Sequence, residues 1–236
     1  MDRAQEVIAD EVAYLASLVP LDGARVVELG CGKADFARKL VERTGVAAVT
    51  ALEVDRIQHE TNLAAPVHPR LTFAYGGAED IPLPDGAFDG VVMMKSLHHV
   101  PVAHLDAALA EIRRVLRPGG WLYVSEPVYA GEFNEIVRLF HDEGVVRAEA
   151  YQALQRASRE GVLDAALERE FMAPLAFRDF DDFAERVIRA THSHHSLSEE
   201  RLAEVRSRFE AHMTPQGARF VRPMRVNLMR REKVER

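Results

Sequence analysis

A single cysteine, a single tryptophan and the lack of any apolar run near eighteen residues are the first constraints on these 236 residues. One cysteine excludes an intramolecular disulfide, and without such a run no helix is expected to span a bilayer. The first twenty residues carry Asp2, Glu6, Asp10 and Glu11 on a helical pattern, which does not read as a signal peptide, so the cytoplasm is the expected compartment. Basic excess is lacking too. A net charge of −7 argues against nucleic acid, whose affinity comes largely from phosphate neutralisation. The charge is uneven: residues 219–236 hold seven Lys/Arg against two Asp/Glu, a local +5 that leaves −12 for residues 1–218. That basic end is read as a solvated face, with an anionic substrate as the alternative.

What is present is an alternation of strand and helix patterns between residues 24 and 126, the signature of a parallel sheet covered by helices. Strands are predicted at Arg25–Leu29, Ala48–Glu53, Leu71–Tyr75, Phe88–Met94 and Gly120–Ser125. Helices are predicted near Asp35–Arg43, Arg56–Ala64 and Val102–Leu116, the last stopped by Pro118-Gly119-Gly120. An amphipathic helix over residues 2–18, with Ile8, Val12, Leu15 and Val19 on one stripe, is expected ahead of the first strand. After Pro127 the pattern changes. Residues 132–168 read as helical with breaks at Gly144 and Gly161, 171–177 as a sixth strand, 179–190 and 198–212 as helices, and 218–229 as a last strand interrupted by Pro223. The length suits one domain, 1–236: an N-terminal helix (1–20), a core (21–127), a helical lid or substrate region (128–217), and a final strand with a basic tail (218–236).

The most informative run is Val26-Val27-Glu28-Leu29-Gly30-Cys31-Gly32-Lys33-Ala34-Asp35, a buried strand that turns through two glycines into a helix. Glycines let a backbone approach a ligand closely, and the helix start offers unpaired N–H groups. A dinucleotide fingerprint would require Gly or Ala at position 35, where this chain has Asp35, so the spacing disfavours NAD. Cys31, inside the loop, is read as a small packing residue rather than a nucleophile.

The loop resembles the E/D-x-G-x-G-x-G motif of class I S-adenosylmethionine-dependent methyltransferases of the small-molecule type, with Ala34 in place of the third glycine. Four more segments carry the resemblance across residues 20–127. Val49-Thr50-Ala51-Leu52-Glu53 is similar to the family's V-T-G-V-D strand, which implies that Glu53 takes the ribose hydroxyls and Val54 lies against adenine. Asp55 is the alternative for the ribose, or a cap for the next helix. Gly77-Ala78-Glu79-Asp80-Ile81-Pro82 resembles the family's D-A-E-x-L-P, with Gly77 where the family has aspartate. Adenine recognition is then expected from the Ala78 N–H, with Glu79 reaching the exocyclic amine. Lys95-Ser96-Leu97-His98-His99-Val100 resembles a strand-four end followed by L-H-H-V, and Glu111 to Gly120 resembles the family's helix-to-strand turn.

The resemblance implies a Rossmann-like α/β three-layer sandwich: a mostly parallel seven-stranded sheet with the last strand antiparallel, and helical lid insertions after strand five. It implies an enzyme that binds S-adenosyl-L-methionine through Glu28, Gly30, Cys31, Gly32, Glu53, Val54, Asp55, Ala78, Glu79, Lys95 and Ser96, and yields S-adenosyl-L-homocysteine. In this motif Glu28 supports the loop and the methionine amino group. A small-molecule acceptor is expected, the chain acting as monomer or homodimer. A protein or RNA acceptor, and an inactive cofactor-binding regulator, are the alternatives. His98 and His99 are the candidate bases, since an acceptor that must lose a proton benefits from a group titrating near neutrality. Tyr14 could close over the methionine end or pack in the core. His192-Ser193-His194-His195 lacks a partner motif for metal, and no metal is expected; with Arg222 and Arg225 it could give polarity to an acceptor pocket.

Overall fold

The computed structural model describes residues 6–66, 68–189 and 197–232. The His192–His195 cluster therefore lies outside the described residues. Their contacts divide the chain into two compact units. Among the described residues, the larger comprises residues 10–66, 68–126, 146–169 and 225–232, and the smaller 6–9, 127–145, 170–189 and 197–224.

The larger unit begins with α1 (Glu11–Leu18), β1 (Arg25–Leu29), α2 (Asp35–Arg43), β2 (Ala48–Glu53), α3 (Arg56–Ala64), β3 (Leu71–Tyr75) and β4 (Phe88–Met94). A 3₁₀ turn at Leu97–His99, α4 (Leu105–Val115) and β5 (Leu116–Pro127) follow. Strands β1 to β4 and helices α2 and α3 have the residues predicted for them. The sheet is mostly parallel with antiparallel C-terminal strands, in the order β3-β2-β1-β4-β5-β8-β6, where β6 is Asp164–Phe177 and β8 is Gly217–Arg230. Val26, Val27 and Glu28 of β1 stand between Val49, Thr50 and Ala51 of β2 and Gly90, Val91 and Val92 of β4. Parallel strands of this kind bury both faces, which is why each reads as a short apolar run. One face packs Val27, Leu29, Val91, Met93, Leu122 and Val124 against the apolar sides of α4 and of α6 (Gly144–Arg159).

Several expectations are corrected. The first helix is confined to Glu11–Leu18 because Asp10 caps it, accepting the Val12 and Ala13 N–H groups at 3.2 Å each. Ahead of the cap, Val7 is extended and forms a parallel bridge with Met172. Residues 164–168, predicted helical, begin strand β6 (Asp164–Phe177), the end strand in the sheet order. Ala-Ala-Leu-Glu-Arg-Glu favours a helix locally, and tertiary pairing overrides that preference. Strand β5 starts at Leu116, and the Phe88–Leu116 pairing shifts register before Gly90 meets Trp121, so the Pro-Gly-Gly segment lies within the strand's irregular start.

The smaller unit carries α5 (Glu132–Val137), α7 (Phe180–Phe183) continued by a π-helical turn at Ala184–Ile188, and α8 (Glu199–Glu210). Its core is a set of buried phenylalanines, Phe133, Phe177, Phe180, Phe183, Phe209 and Phe220. Strand β8 (Gly217–Arg230) runs through Pro223 without interruption, because proline lacks only the N–H; its carbonyl accepts the Val128 N–H at 2.9 Å. An eighth strand, β7 (Met213–Thr214), pairs antiparallel with β8 across a tight turn, one more than the seven expected.

Candidate active site

The loop after β1 is held open by backbone conformation. Gly30 (φ +67°), Gly32 (φ +52°) and Ala34 (φ +58°) all adopt left-handed values. A Cβ on Gly30 would lie 2.7 Å from the Ser96 Cβ, whereas one on Gly32 would meet nothing within 4 Å. Ser96 sits tight against the loop because its hydroxyl donates to the Leu29 carbonyl at 2.7 Å. The strand ends of β1 and β4 are thereby clamped, and the space stays open beside Gly32.

Two buried carboxylates belong to this loop. Glu53, the last residue of β2, accepts the Gly32 N–H on Oε2 at 2.6 Å and those of Val54 and Asp55 on Oε1 at 2.9 Å. Glu28, on β1, is buried. Burial pushes its carboxyl up to about 8, against the opposing pull of the Ala37 backbone and of the Lys95 charge. Its Oε2 is buried with no hydrogen-bond partner among the described residues.

Cys31 is buried, its N–H bonded to the Leu52 carbonyl, and burial pushes its thiol well above the ordinary range, so it packs rather than attacks. Val54 is 58% exposed, an apolar side chain left at the strand end. Asp55 caps α3 by accepting the Ile57 and Gln58 N–H groups. Ala78 is buried, and the Glu79 carboxylate folds back over Gly77 so closely that a Cβ there would lie 2.5 Å from Glu79 Oε2. The Gly77 departure from the motif thus makes room for Glu79. Arg114 on α4 secures this segment by donating to the Ile81 and Leu83 carbonyls and pairing with Glu111 and Asp85.

At the carboxyl end of β4, Lys95 has a left-handed backbone (φ +59°) and its ammonium reaches Glu11 of α1 at 2.9 Å. The other Glu11 oxygen accepts the fully buried Ser125 hydroxyl at 2.8 Å. His98 is buried and its Nδ1 contacts Glu126 Oε2, while Glu126 Oε1 accepts the Leu97 N–H at 2.8 Å. His99 is exposed, its ring 4.1 Å from that of His98. Tyr14 is buried on α1. Glu11, Asn62 and Glu126 were not singled out by sequence.

A parallel sheet with a glycine loop after its central strand and an acid closing the neighbouring strand is the arrangement that class I S-adenosylmethionine-dependent methyltransferases share. Residues 26–120 match the family described as a methyltransferase domain. Phthiotriol/phenolphthiotriol dimycocerosates methyltransferase 1 of Mycobacterium ulcerans is 37% identical over 125 residues, covering 51% of this chain and 44% of that protein. The 27-O-demethylrifamycin SV methyltransferase of Amycolatopsis mediterranei is 32% identical over 161 residues, covering 64% and 58%. The chain thus spans about half the length of these curated relatives. Among solved structures, the YcgJ protein of Bacillus subtilis aligns over 94% of this chain and 98% of its own with a TM-score of 0.66 at 16% identity, a likeness of fold. No helix of the described residues is long and apolar enough to cross a membrane.

Proposed function

We propose that this chain transfers a methyl group from S-adenosylmethionine to the oxygen of a small hydroxylated molecule. The observation that carries the cofactor assignment is the pair of buried carboxylates at the glycine loop, one of which, Glu28, keeps a buried oxygen without a partner. An unsatisfied buried carboxylate oxygen is costly and fits a ligand that brings a donor, as an ammonium group does. The open space beside Gly32 fits the same ligand.

In this reading Gly30, Cys31 and Gly32 present backbone to the cofactor, and Glu28 faces the methionine ammonium. Glu53 takes the ribose hydroxyls, Asp55 being committed to its helix cap. Val54 and Ala78 flank the adenine, Glu79 serves its amine, and Lys95 and Ser96 close the strand end. The cofactor, when bound, supplies an electrophilic methyl carbon on a sulfonium. The chain's own contribution is to align the acceptor, exclude water and manage the acceptor's proton. Glu126 engages Nδ1 of His98, which makes Nε2 the basic nitrogen and stabilises the imidazolium formed when a hydroxyl proton arrives there. His99 remains the alternative base. The relatives named for phthiotriol dimycocerosates and for 27-O-demethylrifamycin support a small-molecule acceptor.

The test is release of S-adenosylhomocysteine from the full chain over a panel of hydroxylated small molecules, with mass detection of the methylated product. Turnover with an alcohol or phenol is expected. Tight binding of S-adenosylhomocysteine with no turnover across hydroxyl, amine and thiol acceptors would favour a binding regulator, and methylation confined to protein or RNA would replace the acceptor class.

A further inference from the structure

Helix α3 is unusual in what it buries. Its only buried residue is Asn62, while its Ile57 is 76% exposed and its Leu63 53% exposed. A nine-residue helix gains most of its stability from an apolar face, and asparagine is a poor helix former, so packing does not account for Asn62 at this position. Its contacts do. The Asn62 Nδ2 donates to the Gly32 carbonyl at 2.7 Å and lies 3.7 Å from the Cys31 sulfur, and its Oδ1 accepts from Gln58 Nε2 at 3.0 Å.

These bonds close a ring. Gly32 N–H donates to Glu53 Oε2, the other Glu53 oxygen accepts the Asp55 N–H, and Asp55 Oδ1 accepts the Gln58 N–H. Gln58 then returns through its side chain to Asn62, and Asn62 to Gly32. Both faces of the Gly32 residue, its N–H and its carbonyl, are therefore held by side chains from the end of β2 and from α3. A glycine in a left-handed conformation, with open space on its free side, needs such restraint to keep one geometry.

We infer that Asn62 is a positioning residue for the cofactor: it fixes the Gly32 peptide and, through it, the orientation of the Glu53 carboxylate, so that binding does not have to order them. The inference rests on the cofactor reading above. Loss of the bond should therefore weaken binding, since the ordering cost then falls on association, and should leave the chemical step alone.

The experiment compares S-adenosylhomocysteine binding by calorimetry, steady-state kinetics and amide hydrogen exchange at Gly32 in the wild type, Asn62→Ala and Asn62→Asp. Asn62→Ala is expected to raise the S-adenosylhomocysteine Kd and the S-adenosylmethionine KM by about tenfold or more, with kcat at saturation within about twofold. Its Gly32 amide should exchange faster in the absence of any ligand. Asn62→Asp should bind weakly at pH 8, where the carboxylate cannot donate to the Gly32 carbonyl, and recover toward the wild type at low pH, where a protonated acid can. The wild type should show no matching recovery. If Asn62→Ala does not fold, Gln58→Met breaks the ring from its half-buried side and is read in the same way. Unchanged Gly32 exchange together with a Kd within twofold of the wild type overturns the positioning role while leaving the cofactor reading intact. A wild-type chain that binds no S-adenosylhomocysteine overturns the cofactor reading, and the inference with it.

Discussion

Glu126 divides its carboxylate between a side chain and the backbone next to it: one oxygen meets Nδ1 of His98, and the other takes the N–H of Leu97. The imidazole and the peptide that carries it are thus oriented by one group from the neighbouring strand. Under the proposed mechanism, a base held this way loses both orientation and imidazolium stabilisation when the carboxylate goes. His98→Gln is expected to lower kcat on a hydroxyl acceptor by about 10²- to 10⁴-fold, and Glu126→Gln to lower it less. The Glu126→Gln profile of kcat against pH should have its acidic limb moved to lower pH, because an imidazolium without its carboxylate is a stronger acid. S-adenosylhomocysteine affinity should stay unchanged in both. An unaltered kcat in His98→Gln would transfer the base to His99 or remove the need for one.

In the proposed reading, Glu28 ties cofactor binding to protons. Its carboxyl sits at about 8, chiefly because burial disfavours the charge. Since the folded value lies above the ordinary 4.5, the folded state holds a proton that the unfolded state gives up. The associated stability is fully present below pH 4.5 and is lost as pH rises to about 8. Glu28→Gln should therefore gain stability relative to the wild type across that window in denaturant titrations. An ammonium placed at Oε2 would lower the Glu28 value, so binding near pH 7 should release up to one proton. Calorimetry in two buffers of different ionisation enthalpy measures this, and a wild type that releases none would remove Glu28 from the amino-group site.

Gly30 and Gly32 make opposite demands on a substitution despite their shared left-handed backbone. Alanine at position 30 collides with the Ser96 Cβ at 2.7 Å and threatens the Ser96–Leu29 bond that joins β1 to β4. Gly30→Ala should cost about 2–5 kcal/mol of stability, from the left-handed strain together with overpacking. Alanine at position 32 meets no protein atom, so Gly32→Ala should cost only about 1–2 kcal/mol of backbone strain. Its larger effect should be on S-adenosylhomocysteine affinity. Chemical denaturation alongside calorimetry separates the two, and equal stability losses would contradict the assigned packing.

The parts of this fold legible in sequence are those set by local pattern. Strands β1 to β4 announce themselves as short apolar runs between turn residues, and the glycine loop marks the helix that follows. Residues 164–168 mislead because their helix-forming side chains lie in an end strand, where pairing rather than burial decides the conformation. The motif singles out Glu53, though not the Gly32 N–H that it accepts. The site was not legible where two distant segments meet: Asn62 lies 30 positions from Gly32, and Glu126 lies 28 from His98. Neither has a spacing that marks it, since an asparagine in a helix and a glutamate near a strand end are ordinary surface choices until the fold brings them inward.

Glu11 supplies the last prediction, because it joins α1 to the carboxyl ends of β4 and β5 through Lys95 and Ser125. Its side chain is 16% exposed and that of Lys95 32%, so the pair is partly shielded and worth more than a surface contact, though less than a dry one. Ser125 is fully buried, and removing its acceptor leaves a hydroxyl to be satisfied elsewhere. Glu11→Ala should destabilise the chain by about 1–3 kcal/mol, the usual cost of stranding a buried polar group. Lys95→Met should cost less, because it leaves the Ser125 bond in place. The double variant should then cost less than the sum of the two, as residues sharing a network do. Because Glu11 is the first residue of α1, amide protection should fall through Glu11–Leu18 before the β-strands respond. Strict additivity, or unchanged protection in α1, would show that the helix is held by Val12 and Leu15 alone.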